Sequence, residues 1–253
     1  MAKTNNEELI QEHQPKVIAQ RLQQAPQRQY VSDAVLGGID GCVTTFAVVS
    51  GTLGAGFPSL VAVILGFANL VADGFSMAIS NYESNKAQQE FIDSVRQTEE
   101  KHINKIPEGE REEIRQIFYR KGFREDILKT IVETISRDKN LWIDTMLTEE
   151  HGIHKIATNP WKSAGTTFVA FIIVGAVPLL PFIVLSLTMQ QQFILSAGMA
   201  GTMFFLIGML KSFVFHKPLL LSGLRTLLTG SIAAGLAFLI GYLLREYLGI
   251  ASI

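Results

Sequence analysis

Between Tyr30 and Glu83 the chain holds two apolar runs of membrane-spanning length, joined by a short Gly/Pro break and yet carrying carboxylates. The stretch reads YVSDAVLGGIDGCVTTFAVVSGTLGAGFPSLVAVILGFANLVADGFSMAISNYE and includes Asp33, Asp40, Asn69 and Asp73. A helix rises 1.5 Å per residue, so about twenty apolar residues cross about 30 Å of hydrocarbon. Val31–Gly54 and Leu60–Ser80 both reach that length. An ionisable side chain inside such a span is expensive, which makes it a functional candidate by default.

The rest of the composition fits a membrane chain. Of 253 residues, 48% are hydrophobic and the mean hydropathy is +0.26. No Asp, Glu, Lys or Arg falls between Gly51 and Ala72 or between Ser163 and Leu210. A formal net charge of −1 gives no global field that would draw nucleic acid. The single Cys42 rules out a disulfide framework. The first thirty residues are polar and Gln-rich, without the pattern of a signal peptide, and read as a short helix broken near Pro15 and Pro26. Lys3, Lys16, Arg21 and Arg28 precede the first span, which by the positive-inside rule places the N-terminus in the cytoplasm.

The second span runs without a breaker into NYESNKAQQEFIDSVRQTEEKHINKI, which predicts one long helix leaving the membrane. A soluble composition follows. Pro107 opens a helix that Gly122 ends, Phe123–Asp138 repeats Ile at helical spacing, and Lys139–His151 ends at Gly152. Three further spans are predicted: Ser163–Leu187, kinked by the prolines of GAVPLLPF, Phe193–Phe213, and Leu219–Leu244. His216-Lys217-Pro218 forms a cytoplasmic turn, whereas the far-side loops GAGFPS and TMQQQ contain no Lys or Arg. The expected architecture is an all-α membrane protein of five transmembrane helices, with a cytoplasmic helical metal-binding insert between the second and third. In residues, 1–29 form a cytoplasmic N-terminal segment, 30–82 the first two spans, 83–160 the insert and 161–253 the last three spans.

Asp33, Gly37, Asp40 and Thr44 share one face of the first helix, and Asn69, Asp73, Met77 and Ser80 form a stripe on the second. Carboxylates along a pathway can hold a divalent cation, or protons once the cation leaves. A thioether is a soft ligand, poor for Mg2+ or Ca2+ and acceptable to Fe2+. The plain alternatives are packing for Met77 and a helix N-terminal acid near the interface for Asp33. In the insert, Glu99 with His102, Glu110 with Glu113, and Met146 with Glu150 are pairs on single helical faces, as bundles use to build carboxylate metal sites. Acidic faces are also often merely solvated, and Glu100, Glu108, Glu112 and Glu149 read equally as surface charge. His151 and His154 flank Gly152 as further candidate ligands, although a histidine at a helix end needs no metal.

GGIDGCVTTFAVVSG, LGFANLVADGFSMAISNY and GAVPLLPF together resemble the vacuolar iron transporter family, and the resemblance runs from Tyr30 to the end of the last span. It implies transport of Fe2+, and often Mn2+, out of the cytoplasm in exchange for protons, by a homodimer whose ion path lies between the first two helices of both subunits. By motif, Asp40 and Met77 match the family's membrane ligands, and Glu99, Glu110, Glu113, Met146 and Glu150 match its cytoplasmic metal-binding positions. Asn69 stands where plant members carry Glu, so Asp73, one turn later, is the candidate to take over that charge. His102 stands where some members have Glu. No prosthetic group is implied, and the partners are divalent metal ions, the lipid membrane and a second subunit, with no nucleic acid. The membrane is the cytoplasmic one in a bacterium and the vacuolar one in a eukaryote. Two other readings compete: a membrane-anchored di-iron carboxylate oxidase using Glu99 and His102, and a metal sensor without flux.

Overall fold

The structure, a computed structural model, describes residues 10–23, 28–153, 159–184, 186–215 and 218–248. Among them there is no β-strand. Helix α1 spans Pro15–Gln23, with its proline at the first position, where a missing N–H costs nothing. Next come α2 (Arg28–Gly54) and α3 (Ser59–Lys105), then α4 (Pro107–Arg120), α5 (Glu125–Arg137) and α6 (Lys139–Glu149). The chain continues with α7 (Pro160–Ala176), a 3₁₀ turn (Val177–Leu179), α8 (Leu180–Ile183), α9 (Met189–Phe215) and α10 (Leu219–Leu248). Lys3, Pro26, His154, His216 and Lys217 lie outside the described residues. Among the described residues, five helices are long and apolar enough to cross a membrane: Tyr30–Gly54, Ser59–Lys105, Pro160–Ile183, Met189–Ser212 and Leu219–Tyr247.

The chain divides into two compact units, one made of Met1–Glu83 with Thr158–Ile253 and the other of Ser84–Ala157. Helix α3 contributes to both.

In the first unit α2 is the central helix, packed against α7, α9 and α10. Glycine makes the closest of these contacts. A Cβ on Gly41 would stand 2.4 Å from the Phe171 carbonyl oxygen, and one on Gly37 would stand 2.3 Å from that of Thr167. Without side chains at these positions the backbones of α2 and α7 can touch, as small-xxx-small pairs allow in lipid. Cys42, Phe46, Ala200, Phe204 and Ala234 bury one apolar cluster, and Val49, Ala62, Leu70, Phe171, Leu179 and Phe182 another. By contrast, α3 leaves Leu60, Ile64, Phe67, Val71, Phe75 and Ile79 exposed.

The prolines act as the sequence predicts. Helix α7 gives way at Val177 to a 3₁₀ turn containing Pro178, whose carbonyl accepts from Ser196 Oγ of α9 at 2.7 Å. A side chain from a neighbouring helix thus serves a carbonyl at the break. The polar TMQQQ predicts a loop, but α9 begins within it. Thr188 and Gln191 cap the helix reciprocally: Gln191 N–H donates to Thr188 Oγ1 at 3.3 Å, and Thr188 N–H to Gln191 Oε1 at 3.0 Å. This capping box starts the helix at Met189. Gln192 is buried one turn in, accepting from Ser59 Oγ at 2.7 Å and donating to the Val184 carbonyl at 3.1 Å.

In the second unit the end of α3 joins α4, α5 and α6 around Ile103, Ile114, Leu128, Val132, Ile135, Trp142, Ile143, Met146 and Leu147. Pro107 begins α4, and Gly122, at φ +101°, ends it. Asp138 caps α6, accepting from the N–H groups of Asn140 and Leu141 at 2.9 and 3.2 Å.

Candidate functional site

In the membrane unit, Asp40 on α2 and Asp73 on α3 are half-buried and within electrostatic reach of one another. Asn69, one turn before Asp73, donates its amide to Asp73 Oδ2 at 2.9 Å, so the two residues act as a pair along one stripe. Met77 continues that stripe and packs against the cluster of Leu70 and Phe171. Asp33, which the sequence places near the N-terminal end of the first span, has defined partners there. It is buried and accepts from Asn81 Nδ2 at 3.0 Å and from Ser163 Oγ at 2.6 Å, while Asn81 also donates to Thr167 Oγ1 at 2.7 Å. Thus Asp33 joins α2, α3 and α7.

In the second unit the acidic residues separate into two kinds. Glu100 accepts from Lys139 Nζ at 2.7 Å, Glu108 pairs with Arg111, Glu112 with Arg115, and Glu149 with Lys121. The hydrogen bond from Lys139 holds the Glu100 carboxyl below its usual range. These are surface ion pairs. Glu99, Glu110, Glu113 and Glu150 have no Lys or Arg ion-pair partner among the described residues.

Instead those four glutamates converge with two histidines. Single donor atoms of Glu99, His102 and Glu110 lie within 4.8 Å of one another, and so do those of Glu99, Glu150 and His151. His102 Nδ1 stands 3.5 Å from Glu110 Oε1, and His151 Nε2 stands 3.1 Å from Glu99 Oε1. Glu99 and Glu110 are 3% and 1% exposed, and each keeps an Oε2 with no hydrogen-bond partner. Burial, then the charges of Glu113, Glu99 and Glu150, push Glu110 up to about 7. Burial first, and Glu113 next, raise Glu150 as well.

A buried carboxylate oxygen without a donor is costly. Two together, surrounded by further carboxylates, fit only a proton or a cation. Oxygen and imidazole donors suit first-row divalent ions. Met146 is fully buried in the apolar cluster of its unit, one turn before Glu150. Glu113 is exposed and contributes through its charge. His151, which a helix end alone could explain in the sequence, stands at this cluster. Its available signal was the following Gly152, which ends α6 and turns the chain back (φ +65°).

Five apolar helices among the described residues are long enough to cross a bilayer, with Asp40 and Asp73 within the first two, and they define a multi-pass membrane protein. The chain belongs to the VIT family, whose profile matches residues 31–242. It is 33% identical over 234 residues to a vacuolar iron transporter of Plasmodium berghei (strain Anka), covering 88% of this chain and 85% of the relative. It is 31% identical to a vacuolar iron transporter of Plasmodium falciparum (isolate 3D7), covering 84% of this chain and 81% of that one. With vacuolar iron transporter 1 of Oryza sativa subsp. japonica the identity is 28%, over 84% and 86% of the two chains. These relatives are named as transporters, not as enzymes. A di-iron site of the Glu-x-x-His kind needs two such pairs, and among the described residues Glu99 and His102 supply one.

Proposed function

We propose that this protein moves Fe2+, and Mn2+ with it, out of the cytoplasm across a membrane in exchange for protons. The observation that carries the reading is the pair of buried glutamates, Glu99 and Glu110, each with an unpartnered oxygen, amid Glu113, Glu150, His102 and His151. Residues 83–160 form the cytoplasmic capture domain, where Glu99, His102, Glu110, Glu113, Met146 and Glu150 gather the ion. Asp40 and Met77 then bind it within the membrane, and Asp73, held by Asn69, carries the returning proton. Two copies of the chain pair through the exposed apolar face of the membrane part of α3, which covers the half-exposed acidic stripe. The family membership and the names of the relatives support iron as cargo.

Reconstitution into proteoliposomes with an imposed pH gradient tests this reading. Fe2+ and Mn2+ flux should follow the gradient in the parent protein and be absent from Asp40→Ala and Met77→Ala. Flux that persists in both variants overturns the assignment of the membrane site, and flux indifferent to the gradient overturns the exchange for protons.

A further inference from the structure

We infer that His151 is a metal ligand of the glutamate cluster and that, with His102, it tilts the cluster towards Fe2+ and later first-row ions and away from Mn2+. This rests on the cluster being the metal-capture site proposed above. His151 follows directly on Glu150, the C-cap residue of α6. Its backbone N–H donates to the Met146 carbonyl at 3.3 Å, Gly152 takes φ +65°, and Ile153 N–H returns to the Leu147 carbonyl at 2.8 Å. Such a left-handed turn closes a helix and anchors the next residue, and Ile153 does pack onto the apolar cluster. The turn therefore holds the imidazole over Glu99, with Nε2 3.1 Å from Glu99 Oε1 and 3.7 Å from Glu150 Oε2.

A simple ion pair does not account for this arrangement. An imidazolium at His151 would serve Glu99 Oε1 but leave the buried Oε2 of both Glu99 and Glu110 without a donor. A cation held by one imidazole and two carboxylates serves them, and both triads of donors have that composition. Carboxylates favour Mg2+, Ca2+ and Mn2+, whereas imidazole suits iron, nickel, copper and zinc, and affinities rise from Mn2+ through Fe2+ to Co2+. Each imidazole therefore shifts the preference along that series. Residues 29–101, which include both acidic spans, contain no histidine, so nitrogen ligation in the bound ion reports on the cluster.

The test uses the full-length protein in detergent, with Co2+ and Mn2+ each alone as probes. Affinities come from equilibrium dialysis, and pulsed EPR of bound Mn2+ detects the imidazole nitrogen. His151→Gln should weaken Co2+ binding at least about tenfold and Mn2+ binding less than about threefold, with a weaker nitrogen coupling. His102→Gln should act in the same direction. An unchanged Co2+-to-Mn2+ ratio and nitrogen coupling in His151→Gln, with binding lost in Glu110→Gln, would remove His151 from the ligand set and leave the cluster standing. Unchanged binding in Glu99→Gln and Glu110→Gln as well would overturn the cluster and this inference together. If His151→Gln lowers stability, the nitrogen coupling of the folded protein at saturating Mn2+ still decides.

Discussion

Ser163 Oγ donates to Asp33 Oδ2 at 2.6 Å, tying α7 to α2 through a carboxylate that also accepts from Asn81 of α3 at 3.0 Å. A buried acid that receives two donors from two other helices acts as a structural joint. Asp33→Ala removes the acceptor and leaves the Ser163 hydroxyl to find another partner. Loss of about 1–2 kcal/mol is expected, read as a lower thermal midpoint in detergent. Asp33→Asn, which keeps one acceptor oxygen, should lose less.

Gly37 and Gly41 predict a second, sharper effect. At either position a methyl group meets backbone, at 2.3 and 2.4 Å, and backbone cannot move aside as a side-chain tip can. Gly37→Ala and Gly41→Ala should therefore separate α2 from α7 and cut the yield of folded protein severely. Gly165→Ala is the control, because nothing lies within 4 Å of its added carbon, and it should express normally. Size-exclusion profiles of the three variants check this.

How much of this could be read from the sequence depends on distance along the chain. The spans and the helices of the second unit were legible because they rest on local signals: uninterrupted apolar runs, Pro107, Gly122 and the Ile127, Ile131, Ile135 repeat. The start of α9 was also legible in principle, since Thr188-x-x-Gln191 is a capping-box pattern, although a run this polar equally fits a loop. Adjacent residues Glu99 and Glu100 were told apart by the spacing of Glu99 to His102 and by the family resemblance, but the partner that fixes Glu100 was not legible. One points into the cluster, and the other meets Lys139, which lies 39 positions further on. The Asp33 joint depends on partners 48 and 130 positions away, and no local pattern announces it.

Glu110 makes stability depend on pH with a definite sign. Its folded value is raised from 4.5 to about 7, so the folded state holds this proton more tightly than the unfolded chain does. Its contribution is fully present below 4.5 and lost as pH rises towards about 7, after which it is flat. Metal-free protein should thus lose stability between pH 5 and 7.5, by about 3 kcal/mol at most from this one group. Urea unfolding followed by Trp142 fluorescence in a Trp161→Phe background measures it. Glu110→Gln should flatten the slope. Mn2+ should restore stability at pH 7.5 and bind less tightly below pH 7, by up to about tenfold per pH unit for each proton displaced.

The cluster and the membrane acids should also separate kinetically. A capture site lowers the concentration at which the path fills, whereas a ligand within the path determines whether a bound ion can cross. Glu110→Gln leaves Asp40, Asp73 and Met77 in place, so its half-saturating Fe2+ concentration should rise at least about tenfold, with the maximal flux largely kept. Asp40→Asn leaves the glutamate cluster intact but removes the carboxylate proposed to neutralise the ion in the low-dielectric span, where an unpaired charge is most costly. Its flux should fall to background at every Fe2+ concentration, while binding of metal to the protein persists. Initial rates in proteoliposomes over a range of Fe2+, with dialysis measurements on the same preparations, distinguish the two. A Glu110→Gln protein with reduced maximal flux and unchanged half-saturation would place Glu110 in translocation rather than capture.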